Sequence, residues 1–123
     1  EFAAPLFVFN FSGNTLPRAV DAVFLGKYLQ TFDNNIIPNL SDLQLFGDLT
    51  NIPNITSFSN NQLPALTQLT IPCLNEIVLK FKGNNLTSLL KLRIMAKAGV
   101  VFEGNELSAL TNLLIEGNLP ELP

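Results

Sequence analysis

A repeated pattern is written most fully at Phe81-Lys82-Gly83-Asn84-Asn85-Leu86-Thr87-Ser88-Leu89-Leu90-Lys91-Leu92-Arg93-Ile94, which reads F-x-x-N-x-L-x-x-L-x-x-L-x-I. Its five copies begin at Phe11, Phe32, Phe58, Phe81 and Phe102, each followed three residues later by asparagine. Successive phenylalanines are 21, 26, 23 and 21 residues apart. Self-similarity at a period of roughly 20 to 50 residues is typical of solenoids, whose repeats stack on one another. The sequence therefore predicts a single repeat domain over residues 1–123 with about five rungs.

Four apolar columns run through the repeats, at two, five, eight and ten residues beyond each asparagine. Their members are Leu16, Ile37, Leu63, Leu86 and Leu107; Ala19, Leu40, Leu66, Leu89 and Leu110; Ala22, Leu43, Leu69, Leu92 and Leu113; and Phe24, Leu45, Ile71, Ile94 and Ile115. The last two columns form an L-x-I pair whose alternation predicts short parallel strands, for example at residues 43–45, 69–71 and 92–94. Stacked at about 4.8 Å, five such strands predict one sheet about 20 Å wide.

An opposite wall is predicted from the residues before each phenylalanine. β-prone residues occur at Phe9–Phe11, Val78–Phe81 and Val100–Phe102, and less clearly before Phe32 and Phe58, so these strands are expected to be the weaker set. Proline and glycine are spread through the connectors, which argues against long helices, and Val20–Leu29 is the best candidate for a helical turn. The predicted fold class is a β-rich solenoid of the leucine-rich-repeat kind, with a short parallel sheet on one face and little helix.

Composition excludes several classes of partner. Charged residues make up 14% of the chain, and its seven Lys and Arg are scattered under a net charge of −3, so no nucleic-acid surface is predicted. No apolar run approaches the roughly 20 residues of a membrane-spanning helix, so no membrane insertion is expected. The chain has no His and a single cysteine, Cys73, which excludes an intramolecular disulfide and any nucleophile activated by His.

The phenylalanines and asparagines recur once per rung and are interpreted as scaffold. The five rings are expected to stack as a spine within the core. Each asparagine is expected to support a turn, because a buried amide can satisfy several backbone groups. The alternative is an exposed row of amides that binds sugar hydroxyls.

Candidate binding residues are those that the L-x-I strands would turn outward, since a solenoid displays one such side chain per rung. They combine acids, amides and bases beside an apolar row of Leu25, Phe46, Pro72 and Met95. An exposed apolar row would be an interaction surface, whereas a connector folded over it would make it part of the core. The predicted ligand-binding residues are Asp42, Gln44, Phe46, Gln68, Thr70, Lys91, Arg93 and Met95.

Catalysis and metal binding have little support in the sequence. No feature sets the separation of the acidic pairs Glu103 with Glu106 or Asp42 with Asp48, so they are interpreted as solvated charges rather than as a glycosidase pair. A calcium site at Asp33 would match no EF-hand spacing. We therefore expect no enzymatic activity, no cofactor and no metal.

One repeat contains the string Ile71-Pro72-Cys73-Leu74-Asn75-Glu76-Ile77, which leads to Phe81 and Asn84. This string resembles the BspA-like leucine-rich repeats of bacterial surface proteins, which alternate L-x-x-I-x-I-P with A-F-x-x-C or A-F-x-x-N. The likeness covers residues 7–119, but the I-P pair is complete in one repeat only, and two extra residues separate each asparagine from its strand. The resemblance implies an exported protein that binds other macromolecules.

Three functional interpretations remain open. The first is a non-catalytic module, secreted or on the cell surface, that recognises a protein partner through the outward strand face. The second is a carbohydrate-binding module of a polysaccharide-degrading enzyme, although Trp is absent and Tyr28 is the single tyrosine. The third is a structural segment of a longer repeat array, whose ends would stack into an end-to-end homo-oligomer.

Overall fold

The computed structural model describes residues 2–4, 10–24, 28–46, 52–74 and 76–116. Over these ranges the chain forms short strands and no helix, so no helix able to cross a membrane is found in them. Every strand pairing is parallel, as stacked turns of one chain require. The strands are β1 (Phe2–Ala4), β2 (Asn10–Ser12), β3 (Asp21–Phe24), β4 (Thr31–Asp33), β5 (Asp42–Gln44), β6 (Ser57–Ser59), β7 (Gln68–Cys73), β8 (Leu79–Lys82), β9 (Lys91–Ala96), β10 (Val100–Glu103) and β11 (Asn112–Glu116).

Two walls alternate along the chain. The even-numbered strands contain the repeat phenylalanines and form one five-stranded sheet, the phenylalanine sheet, in the order β10-β8-β6-β4-β2. The odd-numbered strands form the L-x-I wall, which consists of two three-stranded sheets, β1-β3-β5 and β11-β9-β7. Strands β3 to β11 of this wall lie at the L-x-I positions of the five repeats, and β1 precedes the first repeat. A third line of single parallel bridges links the rungs through Thr15, Ile36, Gln62, Asn85 and Glu106. The chain is therefore a parallel β-solenoid of about five turns, as predicted.

The continuity of the two walls differs from the prediction. The strands expected at residues 43–45, 69–71 and 92–94 exist as β5, β7 and β9, but the L-x-I strands do not make one sheet, because β5 and β7 are not paired. The strands before the phenylalanines, expected to be weaker, make the unbroken sheet. Pairing with neighbours supports even those before Phe32 and Phe58, whose intrinsic β-propensity is lower. The helical turn expected within Val20–Leu29 is not found in the described part of that stretch, where Asp21–Phe24 is strand β3, paired with β1 and β5, and residues 25–27 lie outside the described residues.

The core consists of the predicted columns and the phenylalanine spine. In the second, third and fourth repeats all four column positions are buried. The rings of successive repeat phenylalanines stack with centroids 4.9 to 5.6 Å apart and planes within 20° of parallel. The fifth repeat is more open: Phe102, Leu113 and Ile115 are 37%, 47% and 40% exposed. Burial therefore depends on the position of the rung in the stack as well as on the column.

The repeat asparagines form a hydrogen-bonded ladder inside this core. Asn61 Nδ2 donates to Phe32 O at 2.8 Å and to Asn84 Oδ1 at 3.0 Å, and the Asn61 backbone N–H donates to the same Oδ1 at 3.1 Å. Equivalent backbone and side-chain bonds join Asn14 to Asn35, Asn35 to Asn61, and Asn84 to Asn105. The structural interpretation of the asparagines is confirmed, and an exposed amide row is excluded for the three inner ones, which are at most 1% exposed.

Each rung turns sharply at the residue before its ladder asparagine. That residue has a positive φ in every repeat: 70° at Gly13, 58° at Asn34, 58° at Asn60, 66° at Gly83 and 68° at Gly104. Glycine and asparagine adopt this left-handed conformation at the lowest cost. The full repeat signature is therefore F-x-[G/N]-N.

Candidate functional site

The candidate binding residues lie on the outer surface of the L-x-I wall. Strand alternation places them there: β5 is exposed, buried and exposed in turn, and on β9 Lys91 and Arg93 are exposed while Leu92 and Ile94 are buried. Seven of the eight line two adjoining depressions. Asp42, Gln44, Phe46, Gln68 and Thr70 line the first, and Gln68, Thr70, Lys91 and Arg93 line the second.

A break in the backbone ladder separates β5 from β7. In the other rungs one carbonyl accepts two N–H groups of the following rung. These forks run to Val20 O from Ser41 and Asp42 at 2.9 and 3.2 Å, to Thr67 O from Leu90 and Lys91 at 2.8 and 3.3 Å, and to Leu90 O from Thr111 and Asn112 at 3.0 and 3.1 Å. The equivalent fork from Thr67 and Gln68 N–H to Ser41 O is absent from the described chain. Three backbone groups on exposed residues are thus left without a protein partner there.

The long connector of this repeat gives the physical reason for the break. Phe32 and Phe58 are 26 residues apart, five more than the shortest spacing. The described end of the connector lies against β7, because Ile55 N–H donates to Pro72 O at 2.8 Å and Ile55 is fully buried. Asn54 Oδ1 also accepts from Leu74 N–H at 2.9 Å. The connector therefore occupies the edge of β7 beyond Thr70, where a longer β5 would otherwise pair.

The break opens at the surface as a cleft of about 440 Å³, lined by Ser41–Phe46 and Thr67–Thr70. The side chains of Asp42, Gln44 and Gln68 are exposed around it, and the buried leucines of β5 and β7 form its floor. Asp42 is the one ionisable residue of this lining. The cleft thus combines unpaired backbone groups, two amides, three hydroxyls and a carboxylate above an apolar base.

The second depression, of about 220 Å³, shares the strand Gln68–Thr70 with the cleft and continues across β9 to β11. Arg93 Nε lies 2.6 Å from Glu116 Oε1 on β11, in an exposed pair. Such a pair contributes at most about 1 kcal/mol, so it orients the guanidinium more than it stabilises the fold. Lys91 has no ion pair with any described residue. The outer surface therefore changes from acidic at Asp42 to basic at Lys91.

The predicted apolar row is not an exposed strip. Pro72 is buried, with the connector bonded to its carbonyl, and Phe46 is half-buried and packs against the core. Met95 is half-buried and lines neither depression. Leu25 lies outside the described residues. The interpretation in which a connector covers this row is correct at Pro72.

Cys73 is a core residue, as expected. It is 0% exposed, and its Sγ donates to Ile77 O at 3.3 Å. Burial raises the pKa of this thiol, because the charged thiolate loses its hydration.

The acidic residues considered for metal binding or catalysis do not form a cluster. Asp33 Oδ1 accepts from Ser59 N–H at 2.8 Å within the phenylalanine sheet. Glu103 and Glu106 are exposed, and Asp48 lies outside the described residues. Among the residues that the structure describes, no group of three or more His, Cys, Asp and Glu could hold a metal ion.

Sequence reasoning missed the backbone component of the site. The unpaired groups of Ser41, Thr67 and Gln68 belong to the backbone, and the side chains of these residues do not reveal them in the sequence. The one signal in the sequence was the repeat length, since the spacing of 26 residues between Phe32 and Phe58 marks an insertion in this repeat.

Comparison of the chain with protein-family models, with curated proteins and with solved structures finds no match in any of the three.

Proposed function

We propose that the chain is a non-catalytic binding module that recognises a macromolecular ligand through the outer surface of the L-x-I wall. The cleft between β5 and β7 carries this proposal. Unpaired backbone groups at a strand edge are ready-made partners for a ligand, and here they lie among exposed polar side chains. Those side chains stand on packed strands of the wall, so the scaffold sets their positions before a ligand arrives.

The charges beside the cleft support recognition of an extended ligand. Asp42 and Lys91 belong to the same outward column, two rungs apart, with Gln68 between them. A ligand that runs along the solenoid axis would meet a carboxylate, an amide and an ammonium in order. Arrangements of this kind fix the orientation of a partner more than they raise its affinity.

We also propose that the repeats are of the leucine-rich class and that the module works outside the cell or on its surface, in a bacterium. The segment Leu79-Lys80-Phe81-Lys82-Gly83-Asn84-Asn85-Leu86 supports the class, because it follows L-x-L-x-x-N-x-L with phenylalanine in place of one leucine. The location rests on the resemblance to BspA-like repeats.

Glycan and peptide arrays probed with four proteins test the binding proposal. The proteins are the wild-type chain, Lys91→Glu, Arg93→Ala and Lys80→Glu. Lys80 is an exposed strand lysine of the phenylalanine sheet, so Lys80→Glu repeats the charge change of Lys91→Glu on the opposite wall. Array ligands of the wild type should be weakened about tenfold by the two changes on the L-x-I wall, equivalent to about 1.4 kcal/mol, and retained by Lys80→Glu. Binding that Lys80→Glu weakens and the two L-x-I wall variants do not would assign the ligand to the phenylalanine sheet and contradict the proposal.

A second candidate function, end-to-end self-association, is favoured by the fifth repeat. Phe102, Leu113 and Ile115 occupy core columns and yet are exposed. A further rung stacked on them would bury this surface, as in longer repeat arrays. Size-exclusion chromatography with light scattering over a concentration series should show dimers or longer species that Ile115→Lys suppresses. A wild-type chain that is monomeric at every concentration would exclude this function.

A further inference from the structure

We propose that the cleft binds a neutral oligosaccharide, with Thr67 N–H and Gln68 N–H donating to sugar oxygens and Ser41 C=O accepting from a sugar hydroxyl. This inference rests on the proposed function and names its ligand class. A hydroxyl both donates and accepts a hydrogen bond. Neighbouring hydroxyls of one sugar can therefore pair with the N–H groups on the β7 side of the cleft and with the carbonyl on the β5 side.

The side chains around these backbone groups suit the same ligand. Gln44, Gln68 and Thr70 present amides and a hydroxyl that make no hydrogen bond within the described chain. Phe46, half-buried at the end of the lining, adds an apolar side chain for contact with the C–H groups of a sugar. The volume of about 440 Å³ lies within the roughly 300 to 1,000 Å³ typical of ligand sites.

Charge favours a neutral sugar over an acidic one. Asp42 is the one ionisable residue in the lining, and its carboxylate would repel a uronate, sulfate or phosphate group placed in the cleft. The cations Lys91 and Arg93 line the adjoining depression, and Arg93 is already paired with Glu116.

The width of the break argues against the main competitor, an extended peptide added as a strand. A strand inserted between β5 and β7 requires them to lie about 9.6 Å apart, twice the usual spacing of about 4.8 Å. Cα atoms of β5 and β7 come within 8 Å of each other. A peptide strand would therefore have to force the two sheets apart, whereas a sugar can enter from the outer surface.

The test is an NMR titration of the ¹⁵N-labelled chain with neutral gluco- and xylo-oligosaccharides, alongside oligogalacturonate and an extended β-prone peptide. Neutral sugars at millimolar concentration should shift the amide signals of Thr67 and Gln68. The amide signals of Leu90 and Lys91, which donate to Thr67 O, should not shift.

Gln44→Ala and Gln68→Ala should each weaken binding about three- to tenfold, as expected for the loss of a hydrogen bond to a neutral group. Gln30→Ala, the same change at an exposed glutamine outside the cleft, should have no effect.

Three results would overturn the inference. These are the absence of shifts with every neutral sugar, neutral-sugar binding that the two cleft variants do not alter, and shifts confined to the phenylalanine sheet. Binding of oligogalacturonate or the peptide alone, weakened by Lys91→Glu, would overturn the choice of a neutral sugar and leave the proposed function of the L-x-I wall standing.

Discussion

At the scale of single residues, the asparagine ladder concentrates four hydrogen bonds on the side chain of Asn84. Asn84 Oδ1 accepts from the backbone and side-chain amides of Asn61, while its Nδ2 donates to Phe58 O at 2.9 Å and to Asn105 Oδ1 at 3.0 Å. Asn84 is only 1% exposed, so water cannot replace a hydrogen-bond partner that is lost. One amide therefore holds three rungs in register.

Replacement of this amide by an apolar group of similar size should be costly. Asn84→Leu leaves the two Asn61 donors and Phe58 O unpaired in the core, and buried unpaired groups cost about 1 to 3 kcal/mol each, so we expect a loss of about 3 kcal/mol or more of unfolding free energy. Asn14→Leu is the matched control, because in the described chain the Asn14 side chain only donates, to Ser12 O and Asn35 Oδ1. Urea unfolding should give it a loss of about 1 kcal/mol. Equal losses at the two positions would contradict a role for the ladder.

The left-handed column gives a second expectation at this scale. Gly13 has a φ of 70°, and the space into which an added methyl group would project is open, so Gly13→Ala should cost about 1 kcal/mol of unfolding free energy from backbone strain alone. Gly13→Asn should cost clearly less, because Asn34 and Asn60 adopt the same conformation in the next two rungs. Thermal and urea unfolding of the two variants measure the difference. An asparagine variant as unstable as the alanine variant would contradict the role assigned to this column.

At the scale of strands, the unpaired edge of β7 should be visible without any ligand. Amide hydrogen exchange in native conditions should be at least about tenfold faster at Thr67 and Gln68 than at Leu90 and Lys91, since the latter occupy the same two places one rung later and are bonded to Thr67 O. Similar protection at the two pairs would mean that β5 and β7 are bonded in solution, and the cleft as described would not exist.

The strands also show which parts of the structure sequence reasoning reaches. Alternation of Leu92 and Ile94 with charged residues predicts β9 directly, because the signal is local and repeats in every rung. Thr31-Phe32-Asp33 carries little β signal of its own, yet it is β4, because β2 and β6 pair with both of its edges. Such tertiary support cannot be read from three residues.

The candidate site divides in the same way. The outward position of Gln44, Gln68 and Lys91 follows from strand alternation alone. The break beside them depends on where the connector places Ile55, a long-range contact with Pro72 that no local pattern encodes. Side chains of the site were therefore predictable, whereas its unpaired backbone groups were not.

At the scale of the whole molecule, a solenoid has no single centre, and each rung is covered only by its neighbours. The same column leucine consequently contributes different amounts in different rungs. Leu89 is fully buried between the third and fifth repeats, while Leu110 occupies the equivalent place in the fifth repeat and is half-buried.

Leucine-to-alanine changes along this column should therefore measure the stacking directly. Leu89→Ala should cost about 3 kcal/mol of unfolding free energy, within the range of about 2 to 5 kcal/mol for buried leucines, because it leaves a cavity that the neighbouring rungs cannot close. Leu66→Ala, equally buried, serves as the interior control and should match it. Leu110→Ala should cost about 1 kcal/mol, since its side chain is already partly exposed to solvent. If urea unfolding gave Leu110→Ala the same loss of unfolding free energy as Leu89→Ala, another rung would have to cover the fifth repeat in solution. That rung would come from a second copy or from a longer chain.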